Sequence, residues 1–314
     1  MTGLALSDIT GHLAENLPQT LADVVGRLDE LLGLFPQGDA AGGAGKYWRI
    51  NYSGNGSVSS YGDGDPEVAA GKQSIVKAGL TWKYTRGQIR VSRQAIEQAA
   101  DNASLIGDIV QLEVEGLAKD IRHDLVTQMM SDGTGNGGKD LTGIQAAIAT
   151  GNTYALLERA AAYTWWQSSV AAQAGGSLTE ADIQLRLDDL RSSPRSANPR
   201  LAICGPTVFR IIANLLSANV RPTYMAASDV NSGIRYAGGV EVLTYDGIPI
   251  MRINGYTSGV LHILDMDGWS YDFIRRFLVD GPTLDADSHV FGVSVGSQLF
   301  CKYANKQGAI TSIT

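Results

Sequence analysis

Apolar residues recur along this chain at two periods, and the change from one period to the other predicts its elements. Leu13, Leu17, Leu21, Val24, Leu28, Leu31 and Phe35 return every three or four residues. That period predicts an amphipathic helix beginning near Pro18. It is expected to stop in residues 33–45, where Pro36 and five glycines read as a flexible link. A helix so tethered must bury its stripe on its own body or on a neighbour. Two alternating segments follow, with Trp48, Ile50 and Tyr52 on one face of the first and Leu80, Trp82 and Tyr84 on one face of the second. Residues 53–71 between them are rich in Gly, Ser and Asp, too long for a tight turn and too polar for a core. The geometry expected is a long two-stranded arm with a mobile tip. Such an arm is marginal in water, so it should lie on another surface.

The longest helical stripe is Val110, Val114, Leu117, Ile121, Leu125 and Met129, extended toward its start by Leu105, Ile106 and Ile109. Asp101 or Asn102 is placed to cap it and Gly133 to stop it. The helix expected over 104–131 spans roughly 40 Å at about 1.5 Å per residue. Beyond a glycine-rich turn, Leu141–Ile148 reads as strand, while Ala160–Ala174, with Trp165 and Trp166, takes no assignment. Ser177-Leu-Thr-Glu180 reads as a capping box opening a helix with Ile183, Leu187 and Leu190 on one face. Leu201–Cys204 is strand-like, and Gly205-Pro206 opens a helix to about Leu216. Asp246-Gly247 is a hairpin turn between Val240–Tyr245 and Ile248–Ile253. Strands at Val260–Leu264, at Phe273–Val279 and, last, at Val290–Tyr303 complete an α+β order with no internal repeat.

Composition narrows the function. The chain has 314 residues, 44% hydrophobic and only 18% charged, enough for one large or two moderate domains with a real core. So little charge implies that much of the surface is covered, and identical neighbours are the simplest cover. A net charge of −7 argues against a dedicated nucleic-acid binder, which needs a basic face to displace counterions. Cys204 and Cys301 show no paired or metal-ligand spacing and fit buried thiols in a reduced compartment. No apolar run approaches the roughly 20 residues of a membrane span. The first residues lack the basic start of a secretory signal, so folding in a cytoplasm is expected, with Met1 retained.

Three patterns invite an enzymatic reading, and each fails on context. Gly133-Thr-Gly135-Asn-Gly-Gly138 has the spacing of a dinucleotide loop but follows a helix C-terminus, where the dipole repels phosphate. Asp132, Thr134, Asn136 and Gly137 resemble half of a calcium loop, but the bidentate acid due at its twelfth position is Gly143. Gly292-Val-Ser294-Val-Gly296 matches a nucleophile elbow yet lies in an alternating strand, with no Asp, Glu or His after the serine. His12, His123, His262 and His289 are scattered, and His123 beside Asp120 and Asp124 reads as a solvated cluster. No cofactor, metal or catalytic residue is expected.

The stretch Gly87-Gln-Ile-Arg-Val-Ser-Arg93, the helix through Leu117-Ala-Lys-Asp120, Met129-Met-Ser-Asp-Gly-Thr-Gly135 and Leu141-Thr-Gly-Ile144 resembles the major capsid proteins of tailed bacteriophages, with the Hong Kong 97-like fold. There a strand leads through a short helix into a long spine helix, a glycine-rich turn and a Leu-x-Gly-Ile-like segment. The resemblance covers the order of elements over nearly the whole chain. It implies an N-terminal arm over 1–46, an extended β-hairpin loop over 47–93 that crosses a neighbouring subunit, and a peripheral domain over 94–160 and 280–314 with its spine at 104–131. It also implies an axial domain over 161–279. Within it, residues 219–239, including Arg221, Tyr224, Asp229 and Arg235, would meet at the capsomer axis. The implied protein assembles with itself into hexamers and pentamers of an icosahedral shell around double-stranded DNA, touching the DNA non-specifically. Portal, decoration and separate scaffolding proteins would be its partners, and the virion its location. Some members cross-link through a loop lysine, for which Lys72 and Lys77 are available, but no matching asparagine or glutamate is identified.

Charge adds an assembly hypothesis. Lys72, Lys77, Lys83, Arg86, Arg90 and Arg93 are six bases without an acid between residues 72 and 96. Residues 97–132 hold eight acids, Glu113, Glu115, Asp120 and Asp124 among them, against Lys119 and Arg122. The expectation is a basic arm crossing a neighbour's acidic spine, the charges setting register and the Trp82 or Trp48 face supplying apolar contact. Solvated, mutually indifferent faces are the simpler alternative, since exposed pairs contribute about 0–1 kcal/mol each. An encapsulin-like compartment shell and a soluble α+β enzyme are the other functions to be separated.

Overall fold

The computed structural model describes residues 30–40, 42–67, 69–94, 103–173, 175, 177–217, 242–285 and 288–314. The N-terminal helix expected from Pro18 lies outside them except for its last turn, α1 (Glu30–Leu34). Leu31, Leu32, Leu34 and Phe35 are buried against the body of their own chain, with the Phe35 ring 5.3 Å from that of Trp269. The link that follows is not all flexible. Gln37–Asp39 forms β1, parallel to Tyr271–Phe273, because the glycine lets the backbone pass close beside Asp272; a Cβ on Gly38 would lie 2.7 Å from that carboxylate.

The arm is shorter than its pattern implies. Strands β2 (Gly45–Ser53) and β3 (Ser74–Thr81) pair antiparallel, and the ladder ends at Gly45 opposite Thr81. The chain then breaks at Trp82 and enters β4 (Lys83–Ser92), which belongs to a different sheet. The expected hairpin over 47–93 is therefore two structures. Burial moves from even positions (Val76, Ala78, Leu80, Trp82) to odd ones (Thr85, Gly87, Ile89, Val91) across the break, but the exposed Tyr84 continues the even apolar series in sequence and hides the change of phase.

Helix α2 (Ala103–Met130) matches the expected spine within one residue at each end. Among its described residues the buried apolar side chains are Val114, Ala118, Ile121, Leu125, Val126, Met129 and Met130, the stripe of a helix on a sheet. That sheet has four strands in the order β1-β12-β13-β4, where β12 is Trp269–Asp285 and β13 is Ser288–Cys301. At Gly87 on β4 a Cβ would lie 2.4 Å from Leu117 Cδ1, so helix and strand pack as closely as glycine permits. Gly133, with φ +79°, turns the chain out of the helix.

Leu141–Ile148 is not strand. Ile144–Ala147 forms the single helical turn α3. Gly143 lies directly on the C-terminus of α2, where a Cβ would come within 2.5 Å of the Gln128, Met129 and Ser131 carbonyls. The Leu-Thr-Gly-Ile segment is thus a plug on the spine, with Leu141 and Ile144 fully buried. Thr153–Tyr154 (β5) and Leu157–Glu158 (β6) make a small hairpin, and Thr164–Trp166 a 3₁₀ turn.

The second sheet has six strands in the order β7-β14-β11-β8-β10-β9. These are Ser169–Ala172, Gly308–Thr311, Leu261–Leu264, Leu201–Cys204, Ile248–Arg252 and Val242–Tyr245 respectively. Helices α4 (Glu180–Arg191) and α5 (Pro206–Ser217) pack on it. The cap of α4 is Thr179 with Asp182, two residues beyond the expected box: Asp182 N–H donates to Thr179 Oγ1 at 3.3 Å and Thr179 N–H to Asp182 Oδ2 at 2.9 Å. Asp246-Gly247 turns with both residues at positive φ, as its hairpin requires.

The long strand over 290–303 was expected to be the last. Instead, β14 runs back into the six-stranded sheet between β7 and β11, while β12 already lies in the four-stranded one. The boundary expected at residue 280 falls inside β12.

Candidate assembly surfaces

The base of the arm is turned toward its own chain. Trp82, 6% exposed, meets the Phe300 ring edge-on at 5.3 Å, and Trp48 meets it at 6.2 Å. Lys46 pairs with the buried Asp272. Farther out, Tyr52 stacks on Trp165 with centroids 4.8 Å apart and rings 7° from parallel. The tryptophan face expected to supply contact to a neighbour is therefore used within the subunit. Two tryptophans beside one alternating pattern signal burial, not which body does the burying.

Beyond Tyr52 the arm is exposed. Its tip, residues 54–73, carries Val58 at 85% and Tyr61 at 81% exposure, with Asp63, Asp65 and Glu67 all in solvent. Local turns shape it: Ser57 N–H donates to Asn55 Oδ1 at 3.0 Å and Gly62 N–H to Asp65 Oδ2 at 2.5 Å. Lys72 is exposed at the end of this loop, and Lys77 Nζ lies 4.0 Å over the Tyr47 ring on the neighbouring strand.

Lys83, Arg86 and Arg90 do not belong to the arm. They lie on β4, where exposure alternates residue by residue. Thr85, Gly87, Ile89 and Val91 face α2; Tyr84, Arg86, Gln88 and Arg90 face outward. Lys83 donates to the Gly138 carbonyl and ties the glycine-rich turn to the sheet. On the spine, Asp120, Asp124 and His123 are exposed, the solvated cluster that their spacing implied, and Glu115 is half-buried. The side chain of Glu113, and Arg221, Tyr224, Asp229 and Arg235 of the expected axial tip, lie outside the described residues.

The three enzyme-like patterns take non-catalytic geometry. The Gly133–Gly138 segment is a turn in which Asn136 and Gly137 have positive φ. Asp132 accepts from Thr134 N–H at 3.0 Å and Thr134 Oγ1 at 2.7 Å, and these bonds hold its carboxyl below the usual range. Ser294 sits in mid-strand on β13, receiving Arg275 Nη1 at 3.4 Å. Burial pushes both the Cys204 and Cys301 thiols up to about 12. Among the described residues, no three His, Cys, Asp or Glu side chains converge as a metal site would need.

Sequence reasoning missed the joint between the sheets. Arg159, fully buried, donates through Nη1 to the carbonyls of Ala147 at 2.8 Å and Ala149 at 2.7 Å, and through Nη2 to that of Ala146 at 2.5 Å. These close the C-terminal end of α3, where a cation is favoured. Burial lowers its pKa to about 10, which leaves it charged at neutral pH. Nothing in the local pattern around Arg159 distinguishes it from a surface arginine.

No protein-family model matches this sequence, and no curated protein sequence does. Solved structures do match. The cyanophage A-1(L) capsid asymmetric unit superposes with a TM-score of 0.67 at 15% identity, covering 90% of this chain and 92% of that one. The capsid of a native GTA particle gives 0.58 at 11%, covering 90% and 89%. The holo-SrpI encapsulin complex from Synechococcus elongatus PCC 7942 gives 0.58 at 10%, covering 90% and 86%. The likeness therefore runs along about nine-tenths of this chain and a similar share of each matched one. The chain has the Hong Kong 97-like fold of tailed-phage capsid proteins.

Proposed function

We propose that this chain is the major capsid protein of a tailed bacteriophage, forming hexamers and pentamers of an icosahedral shell around double-stranded DNA. The observation that carries this is the full-length likeness to shell subunits at nine-tenths coverage of both chains. Within that reading, α2 and the four-stranded sheet form the peripheral domain, and the six-stranded sheet with α4 and α5 forms the axial domain. The capsomer-axis contact expected over residues 219–239 lies outside the described residues. The subunit is made in a bacterial host and located in the virion, with portal, scaffolding and decoration proteins as separate partners. Its role is structural: the matched proteins are shell components, and the enzyme-like motifs sit in turn and strand geometry.

The test is expression of the full chain, alone and with the neighbouring genes of its source, followed by electron microscopy. Closed shells with five- and six-fold capsomers are expected. A stable monomer under every condition would overturn the reading. The encapsulin match, with a TM-score equal to that of the GTA capsid, supports a compartment shell as the second reading. Particles from the native source containing DNA decide for the capsid; particles containing a protein cargo and no DNA decide for the compartment.

A further inference from the structure

An asparagine followed by glycine can close on itself, because no side chain on the second residue keeps its backbone nitrogen from the carboxamide carbon of the first. The chain has three such pairs, Asn55-Gly56, Asn136-Gly137 and Asn254-Gly255. The fold presents them differently. Asn136 is left-handed, with φ 49° and ψ 40°. That ψ sets the Gly137 nitrogen anti to the Asn136 Cβ, so the two atoms that would react point apart. Gly138 N–H on the Thr134 carbonyl, at 3.2 Å, and Lys83 on the Gly138 carbonyl hold the turn in this form. Asn254 and Gly255 are the centre of a turn closed by Tyr256 N–H on the Ile253 carbonyl at 3.3 Å, anchored at both ends by those buried residues.

Asn55 stands just past β2, at the root of the arm's tip. Its carboxamide oxygen accepts from Ser57 N–H at 3.0 Å and from Ser57 Oγ at 2.8 Å. Both donors lie on the atom that gains negative charge when the carboxamide carbon is attacked, which is how an oxyanion hole works. Gly71 closes over the same oxygen, so that a Cβ there would clash with Asn55 Oδ1. Gly56 is exposed, and a Cβ on it would meet nothing, so water reaches the pair.

We infer that Asn55 is a site of self-modification, where the Gly56 nitrogen displaces the side-chain amide and water converts the product to an acid. Solvent base removes the Gly56 amide proton, the nitrogen bonds to Asn55 Cγ, and the Cγ–Nδ2 bond breaks with Nδ2 leaving as ammonia. Water then opens the five-membered imide at Cγ, which gives aspartate, or at the backbone carbonyl carbon, which gives β-linked isoaspartate. The result adds a negative charge to a segment, residues 53–71, that already holds Asp63, Asp65 and Glu67 and no base. The β-linked form also lengthens the backbone where the chain leaves β2. The arm of an old subunit therefore differs in charge and path from that of a new one. This inference does not depend on the shell reading.

The experiment follows the full-length chain in mildly alkaline buffer over days. Trypsin places the three pairs on separate peptides, and mass spectrometry reads the exchange of amide for acid at each. In the folded subunit Asn55 is expected to convert about tenfold faster than Asn136 or Asn254. In urea, where the Ser57 donors and the left-handed turn are lost, the three rates should fall within about threefold of one another. Ser57→Ala, checked for folding by circular dichroism, should slow Asn55 about fivefold and leave the other two unchanged. Equal rates in the folded wild-type chain would overturn the site, and so would a lead for Asn55 that persists undiminished in urea; neither comparison needs a variant. Loss of the Asn55 amide into a covalent link with a second chain, seen as a doubled mass on a denaturing gel, would overturn it as well.

Discussion

Between α4, α5 and the six-stranded sheet the buried side chains are aliphatic almost throughout: Ile183, Leu187, Leu190, Val208, Ile212, Ile248, Ile250, Leu261, Ile263 and Ile310. Around α2 and the joint between the sheets, Arg159, Gln128, Gln298 and Gln307 are buried among Tyr154, Trp166, Trp269 and Tyr271. Gln307 alone accepts from Asp265 N–H and Trp269 Nε1, both at 3.0 Å, and donates to the Asp265 and Tyr303 carbonyls. Gln128 and Gln298 accept from Leu141 and Thr142 N–H, fastening the plug onto the spine. The aliphatic core excludes water without fixing direction. The polar joint costs desolvation but holds irregular segments that have no ladder of their own.

If that division is right, Arg159→Ala should have the larger effect of any single truncation compared across the two regions. It empties a fully buried site and takes the charged donor from three carbonyls, which keep only Asn152 Nδ2 on Ala146, Ser168 Oγ on Ala147 and Ser168 N–H on Ala149, and about 4 kcal/mol of stability is expected to go. Leu187→Ala in the aliphatic core should cost about 3 kcal/mol, a transfer and cavity loss without orphaned polar groups. Urea unfolding of the unassembled subunits measures both, and the opposite ranking would break the comparison. Arg159→Lys should recover little, because one ammonium cannot fork to carbonyls on both sides.

Acid sharpens the same contrast. His262 on β11 points away from the aliphatic core to Tyr256, whose hydroxyl lies 2.6 Å from Nδ1. Burial lowers its pKa to about 3, against 6.5 for an ordinary histidine. Below pH 6.5 the unfolded chain therefore takes up a proton that the folded one refuses, so stability falls as pH drops toward 3. Between pH 7 and 5 the loss attributable to this residue is about 2 kcal/mol. His262→Asn should flatten that part of the pH profile in urea unfolding. An unchanged slope would show that His262 is not the group responsible.

The smallest effect is local to α4. Thr179→Ala removes the cap and should cost about 1 kcal/mol, seen as a few degrees in thermal unfolding; Ser177→Ala, in the box expected from sequence, should cost nothing measurable.

Those two residues show what a pattern can resolve. Ser177-Leu-Thr-Glu180 and Thr179-Glu-Ala-Asp182 both have capping chemistry, and only the strand before them decides which is used. Where one element buries one regular stripe, as α2 does with Ile121, Leu125 and Met129, its bounds were legible to within a residue. Where a segment is fixed by distant partners, they were not. Leu141–Ile148 reads as strand because its helix-end plug is held by the Gln128 and Gln298 side chains, which accept from Leu141 and Thr142 N–H, and Gln37–Asp39 reads as link because its sheet partner is more than two hundred residues away. The charge pattern was visible too, but assigning it needed to know that Trp82 ends the arm. Without that break, Lys83, Arg86 and Arg90 travel with the wrong structure.

The return of β14 has a consequence for synthesis. In the six-stranded sheet β7 touches the rest only through β14. A nascent chain that has reached β13 therefore holds β7 beside an open slot, whose other wall is β11. Until residues 308–311 clear the ribosome, that slot stays a raw strand edge. The order of translation thus delays the finished six-stranded sheet until the arm, the spine and the four-stranded sheet have all emerged.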